Sequence, residues 1–482
     1  MTQPSVTITE LDGALGVLPP SAGRLHAVIG GCSQGPVNTP ATYARVRDLV
    51  ATFGEGEGVE AAAAYIDRWA RPVVFTRLSI AAAGTVGAVT KTGTGTSVGT
   101  IDVASAPLDS YEFLVKFIVG GTRGTAGATY QVSLDGGRNY EPVQALGTGT
   151  SISAGGIILA LAAGTFVAGD TYAARSVAPA ATGAEVGNAL QALANSLVQW
   201  EQVHVACAVS TDVFDNIQTK FTAMVGIGKY RSWIGSVRVP NAGESESTYL
   251  GALATAWAAK ASNFGALCAG ACKMVSGVSG RSYRRPASFP FAALQGGVSE
   301  EINVADTNIG LLEGVSIRDA NGNVDEHDES INPGLDDLRF VTLRTWDGLA
   351  GVYVNRPRIF SAEGSDFQLV PHRRVLNLAH GALRQYFIRR LNKPLLVDQT
   401  SGFILEPEAL EIEAGARQAM ASVLLAKPKA SGVTFALSRT DNILSSKTLT
   451  GDARVTPLAY PETIELEVGF YNPALQTQAV AA

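Results

Sequence analysis

The sequence predicts an α/β (α+β) core, a mixed sheet flanked by helices, with an inserted all-β domain and extended strand arms at both termini. Three observations support this prediction. Strand-like and helix-like segments alternate on both sides of residues 83–181, a stretch rich in Gly and Thr. Short runs of alternating apolar and polar residues stand near both ends, at 6–9 and 463–470. Alternating strands and helices are typical of a sheet covered on both faces.

Four segments between residues 25 and 78 predict the first part of the core. They are a buried strand over Leu25–Ile29, a helix from Pro40 to Phe53, a second helix over Val59–Trp69 and a strand over Val73–Leu78. The first helix is the best marked, because Thr39 is a favoured N-cap, Pro40 suits the first helical position and Gly54 suits the position after the last. Strand, helix, helix and strand in succession indicate an α/β core.

Residues 83–181 have a different composition and predict an all-β insertion, a small sandwich or barrel. Short alternating runs such as Thr129–Leu134 favour strands, and Asp135-Gly136-Gly137 is a strong hairpin signal directly after that run. Past Thr182 the alternation resumes. It predicts helices over 185–200, 212–225, 245–261, 371–392 and 406–425, with strands over 203–209, 233–239 and 266–275.

Both ends of the chain carry candidate strands on flexible connections. Apolar and polar residues alternate over Val6–Thr9, and Ile464, Leu466, Val468 and Phe470 alternate with Thr463, Glu465, Glu467 and Gly469. The predicted division is an N-terminal arm (1–20), the first part of the core (21–82), the inserted surface domain (83–181), the second part of the core (182–395) and a C-terminal domain with its strand arm (396–482).

Composition excludes several classes of function. Lys and Arg number 37 against 43 Asp and Glu, a net charge of −6, so the chain lacks the basic excess of a nucleic-acid-binding protein. The longest apolar stretch, 157–168, is too short to span a bilayer, so we expect no membrane insertion. The first residues lack the pattern of a secretory signal, and four scattered cysteines fit a reducing compartment.

Few motifs in the sequence suggest a catalytic or metal-binding site. Gly31-Cys32-Ser33-Gln34-Gly35 matches the G-x-S-x-G nucleophile elbow, but the predicted helix starts too late after Ser33, which favours a plain turn. Oxygen ligands between Asp319 and Glu329 have calcium-loop spacing, yet the glycine and the final acidic position are displaced, which favours a solvated turn. Cys268 and Cys272 have no second ligand pair and are interpreted as buried thiols. We expect no catalytic residue, metal or cofactor.

The helix over 371–392 is strongly polarised. At 100° per residue its apolar residues cluster on one side, and Arg373, Asn377, His380 and Arg384 lie on the other. Arg389 and Arg390 crowd its C-terminal turn, where they complement the helix dipole. A solvated face with capping charges is one interpretation. A cationic ridge that docks on an acidic partner is the other.

The order of these motifs resembles that of contractile tail sheath proteins of phage tails and related injection machines. The resemblance rests on Ala27-Val28-Ile29-Gly30, then Gly35-Pro36-Val37-Asn38-Thr39-Pro40, then a helix ending in Phe53-Gly54. It continues through the run Leu338–Thr345 and the basic helix with Arg373-Arg374. One departure is the acidic loop Asp325–Asp337, which stands where the family has a glycine-rich segment.

The resemblance implies a structural role without enzymatic activity or nucleotide. Subunits of the family form stacked six-membered rings around an inner tail tube and contract by rigid-body rearrangement. By this likeness, Val6, Ile8, Ile464, Leu466, Val468 and Phe470 would add strands to a neighbour's sheet, and Arg373, His380, Arg384, Arg389 and Arg390 would face the tube. The expected partners are further copies of the chain, the tube protein, and baseplate and tail terminator proteins. The expected location is a virion tail assembled in the bacterial cytoplasm, or an injection system.

Two alternatives of another class stay open at this stage. One is a soluble α/β hydrolase that uses Ser33. The other is an α/β binding protein with a β accessory domain.

Overall fold

The computed structural model describes residues 25–241, 243–319 and 325–470. The strands, in chain order, are β1 (Leu25–Gly30), β2 (Ala41–Tyr43), β3 (Val73–Arg77), β4 (Thr85–Val86), β5 (Thr90–Thr92), β6 (Gly99–Ile101), β7 (Glu112–Val119), β8 (Gly121–Thr122), β9 (Thr129–Ser133), β10 (Gln144–Ala145), β11 (Ser151–Ala154), β12 (Ile157–Leu161), β13 (Thr165–Phe166), β14 (Thr171–Val177), β15 (Trp200–Ala208), β16 (Ser232–Ser236), β17 (Gly265–Cys268), β18 (Ala271–Val275), β19 (Ser282–Pro286), β20 (Val315–Ser316), β21 (Leu343–Trp346), β22 (Leu349–Val354), β23 (Ala430–Leu437) and β24 (Gly451–Pro457). The helices are α1 (Val46–Phe53), α2 (Glu57–Trp69), α3 (Gly183–Asn195), α4 (Thr211–Gly226), α5 (Glu246–Trp257), α6 (Ser288–Gly297), α7 (Val370–Ile388), α8 (Glu406–Leu424) and α9 (Ile443–Ser446).

A six-stranded sheet forms the centre of the molecule, in the order β17-β16-β15-β1-β3-β2. Five of its strands are parallel, and β2 adds an antiparallel edge. The central strands are buried on both faces, and β15 nevertheless carries three buried polar residues, Glu201, Gln202 and His204. One core cluster contains side chains of α3, α4 and α5, and another contains side chains of α1 and α2. The predicted mixed sheet flanked by helices is confirmed.

Three predicted elements were wrong at their boundaries. The helix predicted over 185–200 ends at Asn195, because Trp200 already begins strand β15 beside β1. The segment after Pro40 begins as strand β2, because Ala41–Tyr43 pairs with β3, and α1 starts only at Val46. The helix does end at Gly54, whose φ of 70° suits glycine. The strand predicted over 266–275 is broken at Gly270, where a φ of +86° turns the chain from β17 into β18 of a different sheet. Pattern alone did not reveal this change of sheet.

Every regular element between Thr85 and Val177 is a strand. These strands form sheets in the orders β10-β9-β7-β14-β4, β11-β12-β6 and β13-β8, and β5 also pairs with β14. An aromatic core holds them together, in which the rings of Phe117 and Phe166 stack with centroids 4.1 Å apart. That this segment is a separate inserted domain on an outer surface stays a prediction.

The C-terminal region places two long helices against a hairpin. Helices α7 and α8 contact each other, α8 packs on β23, and β23 pairs with β24. Its small apolar core includes Ile412, Met420 and Phe435. No helix in the described ranges is long and apolar enough to cross a membrane.

Candidate functional site

The start of the C-terminal arm is fixed to the body of the protein at three points. The hydroxyl of Tyr460 donates to the carbonyl oxygen of Glu301 at 2.5 Å, and His372 hydrogen-bonds the carbonyl oxygen of Leu458 at 3.0 Å. Arg356 pairs with Glu462 at 3.0 Å. Burial, with the nearby Glu301 carboxylate, raises the pKa of Tyr460 to about 12, so its hydroxyl keeps its proton at neutral pH. The arm therefore leaves the body at a defined place.

Beyond Glu462 the arm has no strand partner within the described chain. The predicted strand over 463–470 is not part of any sheet here, and its apolar side chains are strongly exposed. Ile464 is 72% exposed, Leu466 81%, and Val468 and Phe470 more than that. Four large apolar side chains in alternating positions mark a segment suited to burial against another surface. Val6 and Ile8 lie outside the described residues.

Hairpin β23–β24 offers an unpaired strand edge. Among the described strands, β24 has only β23 as a neighbour. Phe435 and Leu437 of β23 are buried, and they stand opposite Ala453 and Gly451 of β24. Because β24 contributes only small residues there, a groove of about 560 Å³ lies beside it. Its apolar lining comes from Val225, Ile227, Leu383, Phe387, Phe435, Gly451 and Ala453.

Arg373 does not lie on a solvated face, and this prediction was wrong. Its side chain is 4% exposed, and its guanidinium lies 4.9 Å from the ring centre of Phe264 and 5.4 Å from that of Phe367. No carboxylate pairs with it among the residues the structure describes. Burial therefore lowers its pKa to about 10. Asn377, predicted on the same face, is also buried.

Sequence reasoning missed the structural role of Arg374. Its guanidinium makes two contacts with the carboxylate of Glu201 on β15, at 2.7 and 3.3 Å. It also donates to the carbonyl oxygens of Gln295, Val298 and Ser299 at 3.1–3.3 Å. Burial opposes the charge, but Glu201 outweighs it and raises the pKa of Arg374. The first half of α7 is therefore held inside the protein.

The remaining residues of the basic helix are a neutral histidine, an ion-paired arginine and two arginines without an ion pair, of which Arg384 donates to the carbonyl oxygen of Ile227 at 3.3 Å. Burial and the nearby charge of Arg373 lower the pKa of His380 to about 4, so His380 is neutral at physiological pH and packs on the ring of Tyr230. Arg390 pairs with Glu411 at 2.8 Å. Arg384 and Arg389 are exposed, and neither forms an ion pair in the described ranges. The cationic surface of α7 is thus smaller than predicted, and its contact with a tube stays a prediction.

Ser33 of the G-x-S-x-G match closes a turn. Its hydroxyl donates to the carbonyl oxygen of Phe53 at 3.2 Å and accepts from the backbone N–H of Glu55 at 3.0 Å. Both contacts attach the loop after β1 to the C-terminal end of α1. The hydroxyl is therefore occupied by structural hydrogen bonds. This agrees with the interpretation of the motif as a plain turn.

Internal contacts occupy the carboxylates of Asp325, Glu326 and Asp328 in the acidic loop. Asp325 pairs with Lys273 and Glu326 with Arg284, while Asp328 accepts from the hydroxyls of Ser330 and Thr345, each at 2.6 Å. Asn321 and Asn323 lie outside the described residues. Cys268 and Cys272 are buried free thiols. Within the described ranges, no cluster of His, Cys, Asp or Glu is suited to hold a metal ion.

The fold is similar to those of proteins from contractile particles. A chain in the baseplate structure of the anti-feeding prophage (AFP) matches with a TM-score of 0.53 at 10% identity, covering 98% of this chain and 100% of that one. The PVC sheath complex, an extracellular contractile injection system in its contracted state, matches with a TM-score of 0.51 at 11% identity, covering 99% of both chains. The sheath tail protein Lin1278 from Listeria innocua matches at 0.45 and 10% identity, covering 91% of this chain and 96% of that one.

At these identities the likeness establishes the fold, and at that level the predicted resemblance to contractile sheath proteins is confirmed. A comparison with curated protein sequences gives no significant match. The family model described as DUF2586, N-terminal domain, matches residues 3–358. Because this match covers more than half of the chain, the protein belongs to the DUF2586 family.

Proposed function

We propose that the protein is a structural subunit of a contractile tail sheath, whose copies assemble into stacked hexameric rings around an inner tail tube. Two features of the same chain carry this proposal. The arm is anchored at its start but has no strand partner among the described residues, and the hairpin has an open strand edge with a groove beside it. The sheath-like fold also supports the proposal. The subunit acts as a structural element and needs no nucleotide.

Strand addition explains how the arm and the hairpin act together. The arm of one copy lies along the free edge of β24 in another, and main-chain hydrogen bonds complete the sheet. The apolar face of the arm, Ile464, Leu466, Val468 and Phe470, enters the groove that Gly451 and Ala453 leave open. Burial of each such side chain contributes about 1.5–3 kcal/mol. The N-terminal arm with Val6 and Ile8 acts in the same way on another neighbour.

The charges of the arm fit the outer face of the same hairpin. In a strand paired with β24, Glu465 and Glu467 point away from the groove, because successive side chains alternate between faces. Asp452, Arg454 and Thr456 occupy the outer face of β24 by the same alternation. Arg454 is exposed there, beside a single acidic neighbour, Asp452, with which it pairs. The guanidinium of Arg454 therefore offers a cross-strand partner for one of the arm's carboxylates.

Contraction is a rigid-body rearrangement of subunits joined by these arms. The anchor at Leu458, Tyr460 and Glu462 keeps the origin of each arm fixed on its own subunit. The residues after Glu462 then serve as the tether that allows the bodies to rotate. Energy stored in the extended state at assembly drives the change.

The exposed cations of α7 are the part of that helix that can meet an acidic tube. Arg384 and Arg389 project to solvent, and Arg390 lies beside them with its charge partly offset by Glu411. Besides the tube protein, the proposed partners are baseplate and tail terminator proteins. The proposed location is a phage tail assembled in the bacterial cytoplasm, or an injection system related to it.

Electron microscopy of the full chain, alone and with its tube protein, tests the proposal. We expect tubes or rings from the full chain and none from a variant that lacks residues 463–482, although both melt cooperatively at similar temperatures. In a control variant, Glu313→Gln, an exposed carboxylate outside the arm and the hairpin is removed and assembly should persist. A full chain that stays monomeric over a wide range of concentrations would contradict the proposal.

A further inference from the structure

A cleft of about 380 Å³ lies where residues 83–181, the strand-rich segment, meet the central sheet. One wall comes from residues 85–87, 110–112 and 175–180 of that segment. The other includes Ala208 and Val237, which stand at or just after the carboxyl ends of β15 and β16. In open α/β sheets, ligands bind outside the carboxyl ends of the strands. The cleft occupies the position that this architecture uses for binding.

The walls of the cleft are largely apolar. Val86, Val177, Val237, Val239, Pro240 and Pro286 all line it. Three arginines line it too, but each already has a carboxylate partner. These pairs are Arg175 with Glu112, Arg238 with Glu244 and Arg284 with Glu326, and Glu112 also contacts Arg138. The arginines therefore leave little free positive charge for a ligand.

Glu57 is the exception in this lining. It is the first residue of α2 and is only 8% exposed, yet its carboxyl group has no hydrogen bond or ion pair in the described part of the chain. Buried carboxyl groups are normally paired, because loss of water is costly for a charge. Burial, strengthened by the nearby Asp109, raises the pKa of Glu57 to about 8.

The surroundings of Glu57 have more acid than base. Asp109 and Arg285 form a buried pair with contacts of 2.6 and 2.8 Å, so this guanidinium is already engaged. Glu60, also close, accepts a hydrogen bond from Ser276, and burial raises its pKa. Three carboxyl groups thus share one cation. A positive group that enters the cleft would balance the cluster.

We propose that this cleft binds a small organic cation, an ammonium group on an apolar chain, with the ammonium paired to Glu57 and the chain against the valines and prolines. The apolar walls account for the body of such a ligand, and the partnerless carboxyl accounts for its charge. An anionic ligand is disfavoured because Asp109 and Glu60 lie close to Glu57. A neutral ligand would gain no ion pair with Glu57.

Proton release provides a signature that does not depend on any variant. At neutral pH the free protein holds a proton on Glu57, and a bound ammonium ion favours the ionised form. Binding of the cation should therefore release a proton at neutral pH, and affinity should rise with pH until Glu57 is ionised in the free protein. Calorimetry in buffers of different ionisation enthalpy measures this release directly.

The test uses the full chain with three matched probes, hexylammonium, hexanol and hexanoate. We expect hexylammonium to bind most tightly and with proton release. Glu57→Gln should weaken it by at least about tenfold, the range of a lost charge-assisted hydrogen bond. Ala208→Trp, which fills the cleft from an exposed position, should also abolish binding. The exposed control Glu313→Gln should bind as the wild type does.

Several results would overturn the inference. They are equal binding of hexanol and hexylammonium, tighter binding of hexanoate, no binding of any probe, or hexylammonium binding without proton release at neutral pH. If Glu57→Gln fails to fold, the proton release of the wild type and the Ala208→Trp variant still decide the matter.

Discussion

Arg374 on α7 and Glu201 on β15 form an ion pair in which both side chains are more than 90% buried, and the two residues stand 173 positions apart in the sequence. Their contact joins the C-terminal region, which carries the arm and the hairpin, to the central sheet. The pair is therefore one of the buried contacts that hold the first half of α7 to the body of the protein.

Removal of one partner of this ion pair should lower the stability of the folded protein. Arg374→Met leaves the Glu201 carboxylate buried and unpaired, so we expect the free energy of unfolding to fall by about 3–5 kcal/mol. The double variant Arg374→Met with Glu201→Leu should recover much of that loss, because no unpaired charge remains. Chemical denaturation measures all three, with exposed Arg389→Met as the control. A single-variant loss no larger than that of the control would contradict this role.

Replacement of the adjacent Arg373, in contrast, should leave the free energy of unfolding nearly unchanged or raise it. Arg373 is buried without a carboxylate partner, so its charge is held at a cost that its ring contacts only partly offset. Arg373→Met keeps the apolar stem and removes the charge. We expect the free energy of unfolding to stay within about 1 kcal/mol of the wild type or to rise. A loss as large as that from Arg374→Met in the same denaturation experiment would show that an unrecognised partner balances Arg373.

His327 should make stability depend on pH in the alkaline range. Burial opposes its charge, but hydrogen bonds to Glu246 and Glu329 outweigh burial and raise its pKa to about 9. Because the folded-state pKa is above the unfolded value of about 6.5, the stabilisation is complete below about pH 6.5 and is lost as pH rises through about 9.

The matched comparison is with His327→Gln. The difference in the free energy of unfolding should be roughly 1–3 kcal/mol near pH 6.5 and should shrink towards pH 10. Titration of other groups, Glu57 included, affects both proteins and cancels in the difference. A difference that stays constant with pH would show that His327 does not titrate as proposed.

The groove beside β24 can be filled to separate assembly from folding. Ala453 is exposed and lines the groove, so Ala453→Phe should fold normally and occupy the space proposed for the arm. We expect tube formation to fail by electron microscopy while the melting temperature changes little. Ala436→Phe places the same side chain on the opposite face of the hairpin and should assemble. Equal assembly of both variants would rule out the groove as the acceptor.

Charge reversal on α7 tests the contact with a tube. Arg389→Glu reverses an exposed cation at the C-terminal end of α7 that does not line the groove beside β24, and the like charge should then repel an acidic tube surface. We expect co-sedimentation of sheath and tube to be lost at physiological ionic strength, while tubes of the sheath protein alone still form. Arg138→Glu, in the strand-rich segment, is the control. Unchanged co-sedimentation would refute the tube-facing role.

The sequence by itself predicted the elements whose causes are local. The alternation of strands and helices, the end of α1 at Gly54 and the apolar alternation of the arm follow from residue type and spacing. The structure bears out the first two, and among the residues that it describes the arm has no strand partner. A strand forms only beside a neighbour that accepts and donates its main-chain hydrogen bonds, so the alternation alone could not determine where the arm binds.

The tertiary structure alone decided the roles of the charged side chains. Arg373 and Arg374 are neighbours of the same type, and no pattern distinguishes them, yet one lies against rings and the other pairs with Glu201. The role of Glu57 was likewise decided by the tertiary structure, because its isolation depends on cleft walls contributed by residues 85–87 and 175–180. Helical periodicity reports which side of a helix is apolar, whereas the energy of a charge depends on water and on the opposite charges that distant segments bring within a few ångströms.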